Sequence, residues 1–325
     1  MKVLVTGSSG FLGGHVAELL SKRGDHVRAL VRKTSNRKHL ESLPNVELFE
    51  GTVEQVERVK DAMDGVDAVV HTAGLIKARS TDEFFAVNVG GTSNLIEAAR
   101  GRRLKRFVFV SSLEACGPSS DGMPVGSDQE DPVTAYGRSK LAAEKVVLSA
   151  KDDIPVIILR PGAIYGPRDA EILQAFKSIK RGLLPLIAGG EAKGVWIYAT
   201  DCAAACIRAI DADLSSGKTY FVDDGCGPMA QSQMLADAEH AIGKRAVWRT
   251  SLPVPFLMTV ARGVEAYGRM ANRPVMLTRE KATMLLQHWV CSSEETRRDL
   301  GWEPRVPWRE GVALAVQWYR ENGWL

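Results

Sequence analysis

Apolar residues follow two rhythms along the first half of this 325-residue chain. Short apolar runs rich in Val, Leu and Phe sit at 2–6, 26–32, 46–50, 67–72, 106–112 and 155–160. Between them the period lengthens: Phe11, Leu12, His15, Val16, Leu19 and Leu20 recur at helical spacing until Gly24 stops the segment. The same spacing predicts helices at 55–64, 82–100 and 134–150. Strands that are apolar at nearly every position must be buried on both faces. The pattern therefore predicts an α/β fold, a parallel, doubly wound sheet with helices on either side.

Past Gly162 the alternation loosens. Helices are expected at 169–181, 201–211, 229–242, 256–271, 278–288, 293–300 and 307–322, with strands near 195–199 and 218–223. The reading is a first domain over 1–161 and a smaller, mostly helical C-terminal substrate lobe over 162–325, interleaved with the last strands of the sheet. In the lobe, Phe256, Leu257, Val260, Val264 and Tyr267 share helical spacing. They fit a helix packed on the lobe's own core, an apolar lid over a greasy substrate, or a face for a membrane surface or partner.

Charge removes some functions. Forty-two Lys and Arg against 39 Asp and Glu leave a net charge of +3 with no basic run, so nucleic acid is not an expected partner. No apolar run reaches the ~20 residues of a bilayer span, and Met1 leads straight into a strand. The expectation is a cytoplasmic protein with at most peripheral membrane contact. The five cysteines have no C-x-x-C pair and fit buried free thiols, and no His has a partner at metal-ligand spacing, so no metal is expected.

The first candidate chemistry is Gly7, Gly10 and Gly13, a T-G-x-x-G-x-x-G loop that leaves the first strand and opens the first helix. There, unpaired backbone N–H groups and the helix dipole can hold a pyrophosphate, and side chains would block its approach. The second strand indicates which dinucleotide. Val31 stands where an NAD site usually carries an acid for the ribose 2′-hydroxyl, and Arg32, Lys33 and Arg37 follow. A guanidinium and an ammonium suit a 2′-phosphate, which favours NADP over NAD.

The second candidate is Tyr136 and Lys140, four apart on one helix face. A charge ~4 Å from the phenol at an effective dielectric of ~20 is worth ~4 kcal/mol, roughly three pKa units. The expectation is a phenol brought close to neutral pH.

Together these residues resemble the extended short-chain dehydrogenase/reductases along the whole chain. The resemblance rests on the glycine loop, His71-Thr72-Ala73-Gly74, Asn88-Val89-x-Gly91-Thr92, Ser111-Ser112, Tyr136-x-x-x-Lys140 and Arg160-Pro161-Gly162-Ala163-Ile164-Tyr165-Gly166-Pro167. Ser112-Leu113-Glu114-Ala115-Cys116-Gly117 and Leu141-Ala142-Ala143-Glu144 look most like the 3β-hydroxysteroid dehydrogenase branch and its bacterial sterol-dehydrogenase and ketoacid-reductase relatives. The resemblance implies a Rossmann sheet and a homodimer through helices 82–100 and 134–150. It implies that Tyr136 is the general acid/base, Lys140 binds the nicotinamide ribose, and Ser112 holds the substrate oxygen with Ser111 as fallback. Ser9, Phe11 and Leu12 in the loop, Thr52, Val53, Ala73, Gly74, Asn88, Pro161 and Gly162 would border the cofactor, with a structural amide equally open for Asn88. Gly51-Thr52-Val53 departs from the Asp-Leu or Asp-Ile pair with which many relatives hold adenine.

The expected reaction interconverts a ketone and a secondary alcohol on a hydrophobic, sterol-like or long-chain acyl substrate. A nucleotide-sugar epimerase or dehydratase with tightly bound NAD is the alternative. Its usual diphosphate anchors are replaced here by Pro161-Gly162 and by Gly194-Val195 before Trp196. A non-catalytic dinucleotide sensor is a second alternative. Glu114, Tyr165, Trp196 and Tyr198 are placed as pocket lining by position.

Overall fold

The computed structural model describes residues 1–275 and 277–325. Seven parallel strands form the central sheet, in the order Lys218–Val222, Val156–Pro161, Arg106–Val110, Ala68–His71, Lys2–Thr6, His26–Val31, Val46–Glu50. The strand order reverses beside Lys2–Thr6, so a crevice opens at the carboxyl ends of that strand and Ala68–His71. In open α/β sheets, ligands bind at such a point.

Alternating side chains build a core on each face, as the unbroken apolar strands predict. Val3, Val5, Val108, Val110, Ile157 and Leu159 pack with helices Phe11–Lys22 and Ala199–Asp211. Leu4, Phe107, Phe109, Val156 and Ile158 face the opposite way, onto helices Val56–Ala62, Gly91–Ala99 and Ala135–Leu148. Cys202 and Cys206 lie in the first core. All five thiols are free, but Cys226 is exposed, contrary to the expectation of uniformly buried cysteines.

Several elements depart from the sequence reading. The single helix expected at 82–100 is three pieces: Thr81–Phe84, a π-helical stretch Phe85–Gly90, then Gly91–Ala99. The strand expected to reach 112 ends at Val110, which frees Ser111 and Ser112 for a turn. In the lobe, the parallel pair Leu183–Ile187 and Trp248–Leu252 was unforeseen. A proline inside the first and polar residues in the second hide them from a period-two pattern. Tyr165 and Tyr198 are core rather than pocket lining. They pack with Trp308 and Tyr319, and a Cβ on Gly311 would overlap the Tyr165 hydroxyl.

One buried ion pair ties the sheet to the helix that carries Tyr136. Arg160 Nε and Nη2 donate to Glu144 Oε1 and Oε2 at 2.9 and 2.6 Å, while Nη1 donates to the Ser127 carbonyl at 2.7 Å. Both side chains are almost fully buried. Removing one partner strands a charge in low dielectric. Glu144→Ala is expected to lower unfolding free energy by about 3–5 kcal/mol, and Glu144→Leu with Arg160→Met to recover most of that in urea titrations.

Candidate active site

The glycine loop has the geometry an anion needs. Gly7 adopts φ +71°, and a Cβ there would lie 2.7 Å from the Ala73 nitrogen, while a Cβ on Gly13 would overlap the Gly7 carbonyl. The following helix starts at Phe11 with no side-chain cap and no acid in its first turn. Its N–H groups and positive dipole end therefore face outward at the sheet's reversal point. Leu12 is buried beneath the loop, and Ser9 and Phe11 are partly exposed.

Arg32 and Lys33 are exposed just past the second strand, and neither forms an ion pair among the described residues. Arg37 reaches Glu50 at 3.7 Å. Thr52 is half-buried, its N–H held by Gln55 Oε1 at 3.0 Å. Val53 is buried against Gly91, where any Cβ would overlap it. Pro161 ends the strand Val156–Pro161, and a Cβ on Gly162, the next residue, would approach Val195 to 2.8 Å.

A directed chain of buried hydrogen bonds runs from this loop to the helix that carries Tyr136. Ala73 N–H donates to Thr6 Oγ1 at 3.3 Å, and Thr6 Oγ1 meets His71 Nδ1 at 2.7 Å. His71 Nε2 meets Thr92 Oγ1 at 2.9 Å, and Thr92 donates onward to the Asn88 carbonyl at 2.6 Å. Because the Thr92 proton is committed, His71 must donate from Nε2, and burial beside Lys140 keeps the ring neutral, its pKa lowered to about 3. Asn88 Nδ2 donates to Ser139 Oγ at 2.9 Å, and Ser139 to the Tyr136 carbonyl at 2.7 Å. Asn88 Oδ1 also accepts Leu75 N–H at 2.7 Å. In this geometry Asn88 is the structural amide, and the π-helical stretch aims it between the two segments.

Helix Ala135–Leu148 starts at Thr134, whose Oγ1 accepts Gly137 N–H at 2.9 Å and donates to Glu114 Oε2 at 2.8 Å. A Cβ on Gly137 would overlap the Glu114 carbonyl oxygen, so only glycine lets the helix press on the Leu113–Ala115 turn. Ser112 Oγ accepts Glu114 N–H at 3.1 Å and stands close to the Tyr136 phenol. Part of the Tyr136 ring reaches the surface, but its hydroxyl end is surrounded by protein. Ser111 Oγ is buried without a partner among the described residues.

The phenol does not behave as the sequence suggested. Burial and the nearby Glu114 carboxylate push its pKa well up, and the Ser112 hydrogen bond only partly opposes them. Lys140 gives no offset, because its Nζ donates to the Val110 carbonyl at 2.7 Å and sits 4.2 Å over the Phe109 ring. Burial lowers Lys140 to about 8. Gly74 stands beside it, with a Cβ position 3.9 Å from Nζ.

Other contacts escaped the sequence reading because they join distant segments. Glu280 accepts Ala135 N–H at 2.6 Å and Arg138 at 2.7 Å, and Lys281 lies 3.4 Å from Glu114, so the lobe grips the start of the helix that carries Tyr136. His15 bonds the Pro167 carbonyl at 3.0 Å and Arg168 at 2.8 Å, pinning the first helix to the loop after Tyr165. A cavity of about 610 Å³ opens in the lobe, lined among others by Ile187, Glu191, Lys193, Leu286 and His288.

The profile of the NAD dependent epimerase/dehydratase family matches residues 3–222 of this fold and site. The chain belongs to that family. The 2-alkyl-3-oxoalkanoate reductase of Stenotrophomonas maltophilia is 31% identical over 335 residues, covering 96% of this chain and 97% of its own. The ceramide reductase of Caulobacter vibrioides is 30% identical over 324 residues, with 99% and 96% covered. A solved UDP-glucose 4-epimerase of Thermus thermophilus, complexed with NAD, is 26% identical with a TM-score of 0.77 over 98% of this chain and 99% of its own. The family resemblance drawn from the motifs is thus borne out. This chain is an oxidoreductase of the extended short-chain dehydrogenase/reductase type, whose members use a nicotinamide dinucleotide.

Two outcomes follow from the geometry. Gly137→Ala should move the helix start off the serine turn and cut kcat by about ten- to a hundredfold, with dinucleotide affinity kept in fluorescence titrations. Lys140 is an ammonium below about 8 and neutral above it. The kcat/KM for the dinucleotide should fall about tenfold per pH unit above that point, and Lys140→Arg should flatten this limb.

Proposed function

We propose that this protein is an NADP(H)-dependent ketoreductase that interconverts a ketone and a secondary alcohol on a hydrophobic, sterol-like or long-chain acyl substrate. The observation that carries the reading is the Ser112–Tyr136 pair, brought together by the turn at Leu113–Ala115, with burial and Glu114 keeping the phenol protonated. A bound nicotinamide supplies the hydride that reaches the carbonyl carbon. The chain's own residues do the rest. Ser112 orients the carbonyl oxygen, and Tyr136 gives it a proton as it becomes an alkoxide. A phenol of raised pKa stays protonated across the working pH range, so the proton that reduction needs is in place. Lys140 would hold the nicotinamide ribose, and the uncapped helix start at Phe11 would hold the pyrophosphate.

Arg32 and Lys33, neither of which forms an ion pair among the described residues, support a ribose 2′-phosphate and hence NADP. Two reductases among the relatives, one of a ceramide and one of an alkylated oxoalkanoate, support a long apolar substrate. The same reading includes a cytoplasmic homodimer packed through helices Gly91–Ala99 and Ala135–Leu148.

The test is turnover of NADPH and NADH against long-chain 3-ketones, with thermal shifts for NADP, NAD and UDP-sugars. The reading expects NADPH to be preferred. It expects Tyr136→Phe to lose about 10²–10⁴ in kcat. Arg32→Ala should cost NADPH about tenfold or more in kcat/KM while leaving NADH unchanged. Copurified NAD with protection by UDP-sugars would replace this reading by the epimerase one. Dinucleotide binding without turnover of any ketone would point to a sensor.

A further inference from the structure

Helix Val254–Met270 is apolar on two sides. Leu257, Ala261 and Gly268 are buried against the lobe, with Val264 partly buried beside them. On the other side, Phe256, Val260, Gly263, Tyr267 and Met270, spaced by four, three, four and three, form a stripe that faces solvent. Phe256 is 55% exposed, Tyr267 63% and Met270 89%. The segment leading into the helix adds Val247 and, in the strand Trp248–Leu252, Trp248, which is 70% exposed and paired in register with exposed Leu183. A run of large apolar side chains in water is a binding surface by default.

Charge says what covers it. Residues 239–273 hold six Lys and Arg and two carboxylates, and the whole chain carries only +3, so the remainder is close to neutral. Both carboxylates are already engaged, Glu265 with Arg279 and Glu239 with Arg249. Lys244, Arg245, Arg262, Arg269 and Arg273 are exposed, and none forms an ion pair among the described residues. On the helix, Arg262 and Arg269 flank the apolar stripe on one side. No helix among the described residues is long and apolar enough to cross a membrane. An apolar stripe bordered by cations is the arrangement that lies in the headgroup plane of an anionic bilayer.

We propose that helix Val254–Met270 is a membrane-docking face, which seats the lobe on anionic phospholipid so that a bilayer-dissolved ketone can reach Tyr136. This rests on the long-chain substrate reading for its purpose, but not for its test. The full-length protein, without substrate or dinucleotide, is sedimented with vesicles of phosphatidylglycerol and phosphatidylcholine in equal parts, and with vesicles of phosphatidylcholine alone. Binding should favour the anionic vesicles and weaken with salt. Phe256→Ser with Tyr267→Ser and Met270→Ser should lower partitioning at least about tenfold. Arg262→Gln with Arg269→Gln and Arg273→Gln should lower it about a hundredfold on anionic vesicles alone. All six residues are exposed, so both variants should keep the melting temperature and the turnover of a short, water-soluble ketone.

No vesicle binding, or binding unchanged in the serine variant, overturns the proposal. So does a dimer in analytical ultracentrifugation that the serine variant converts to monomer, because a second copy then covers the stripe. Vesicle binding with no ketone turnover would leave this surface standing and remove the ketoreductase reading instead.

Discussion

A helix start pressed against a serine turn is the contact on which the rest of the site depends. Gly137 makes it possible, since any side chain there would collide with the Glu114 carbonyl. The approach brings the Tyr136 phenol within hydrogen-bonding reach of Ser112 and places Thr134 between the helix N-terminus and the Glu114 carboxylate. Three independent restraints hold it: the Arg160–Glu144 pair from the sheet, the Asn88–Ser139 bond from the π-helical stretch, and Glu280 from the lobe. Loosening one leaves two, so the geometry is over-determined where chemistry needs it tight.

The same packing sets the electrostatics. A phenol and an ammonium one helical turn apart suggest mutual stabilisation of phenolate and cation, but both polar ends are surrounded by protein. Desolvation then disfavours each charged form, raising Tyr136 and lowering Lys140, and the cation turns to a carbonyl and a ring face instead. The phenol therefore holds its proton tightly, while the ammonium holds its own loosely. His71 follows the same logic, since burial and the Thr92 proton hold it neutral in one tautomer, a fixed link between loop and helix rather than a titrating group.

What the sequence made legible was local. The glycine loop, the six strands of the first half and the Tyr136–Lys140 spacing depend on neighbours within a few residues and on burial from both faces. Contacts closed by the fold stayed hidden: Glu280 reaches Ala135 across 145 positions, and His15 reaches Pro167 across 152. Gly137 carried no motif of its own, because its role exists only once the turn at 113–115 lies beneath it. Position alone misled for Tyr165 and Tyr198, which fill a core whose other wall, Trp308 to Tyr319, comes from the last helix. The strand at 183–187 was masked by its proline, and the π-helical stretch by a helical pattern that cannot tell four residues per turn from a locally wider one.

The most direct measurement is the proton affinity of one phenol. Ultraviolet difference titration of the protein against Tyr136→Phe isolates that group from the other tyrosines. This account predicts that the Tyr136 phenolate band is absent up to the ordinary tyrosine value of about 10 and emerges only above it. A band titrating between neutral pH and about 9 would contradict it, and would return the site to a phenol acidified by its lysine.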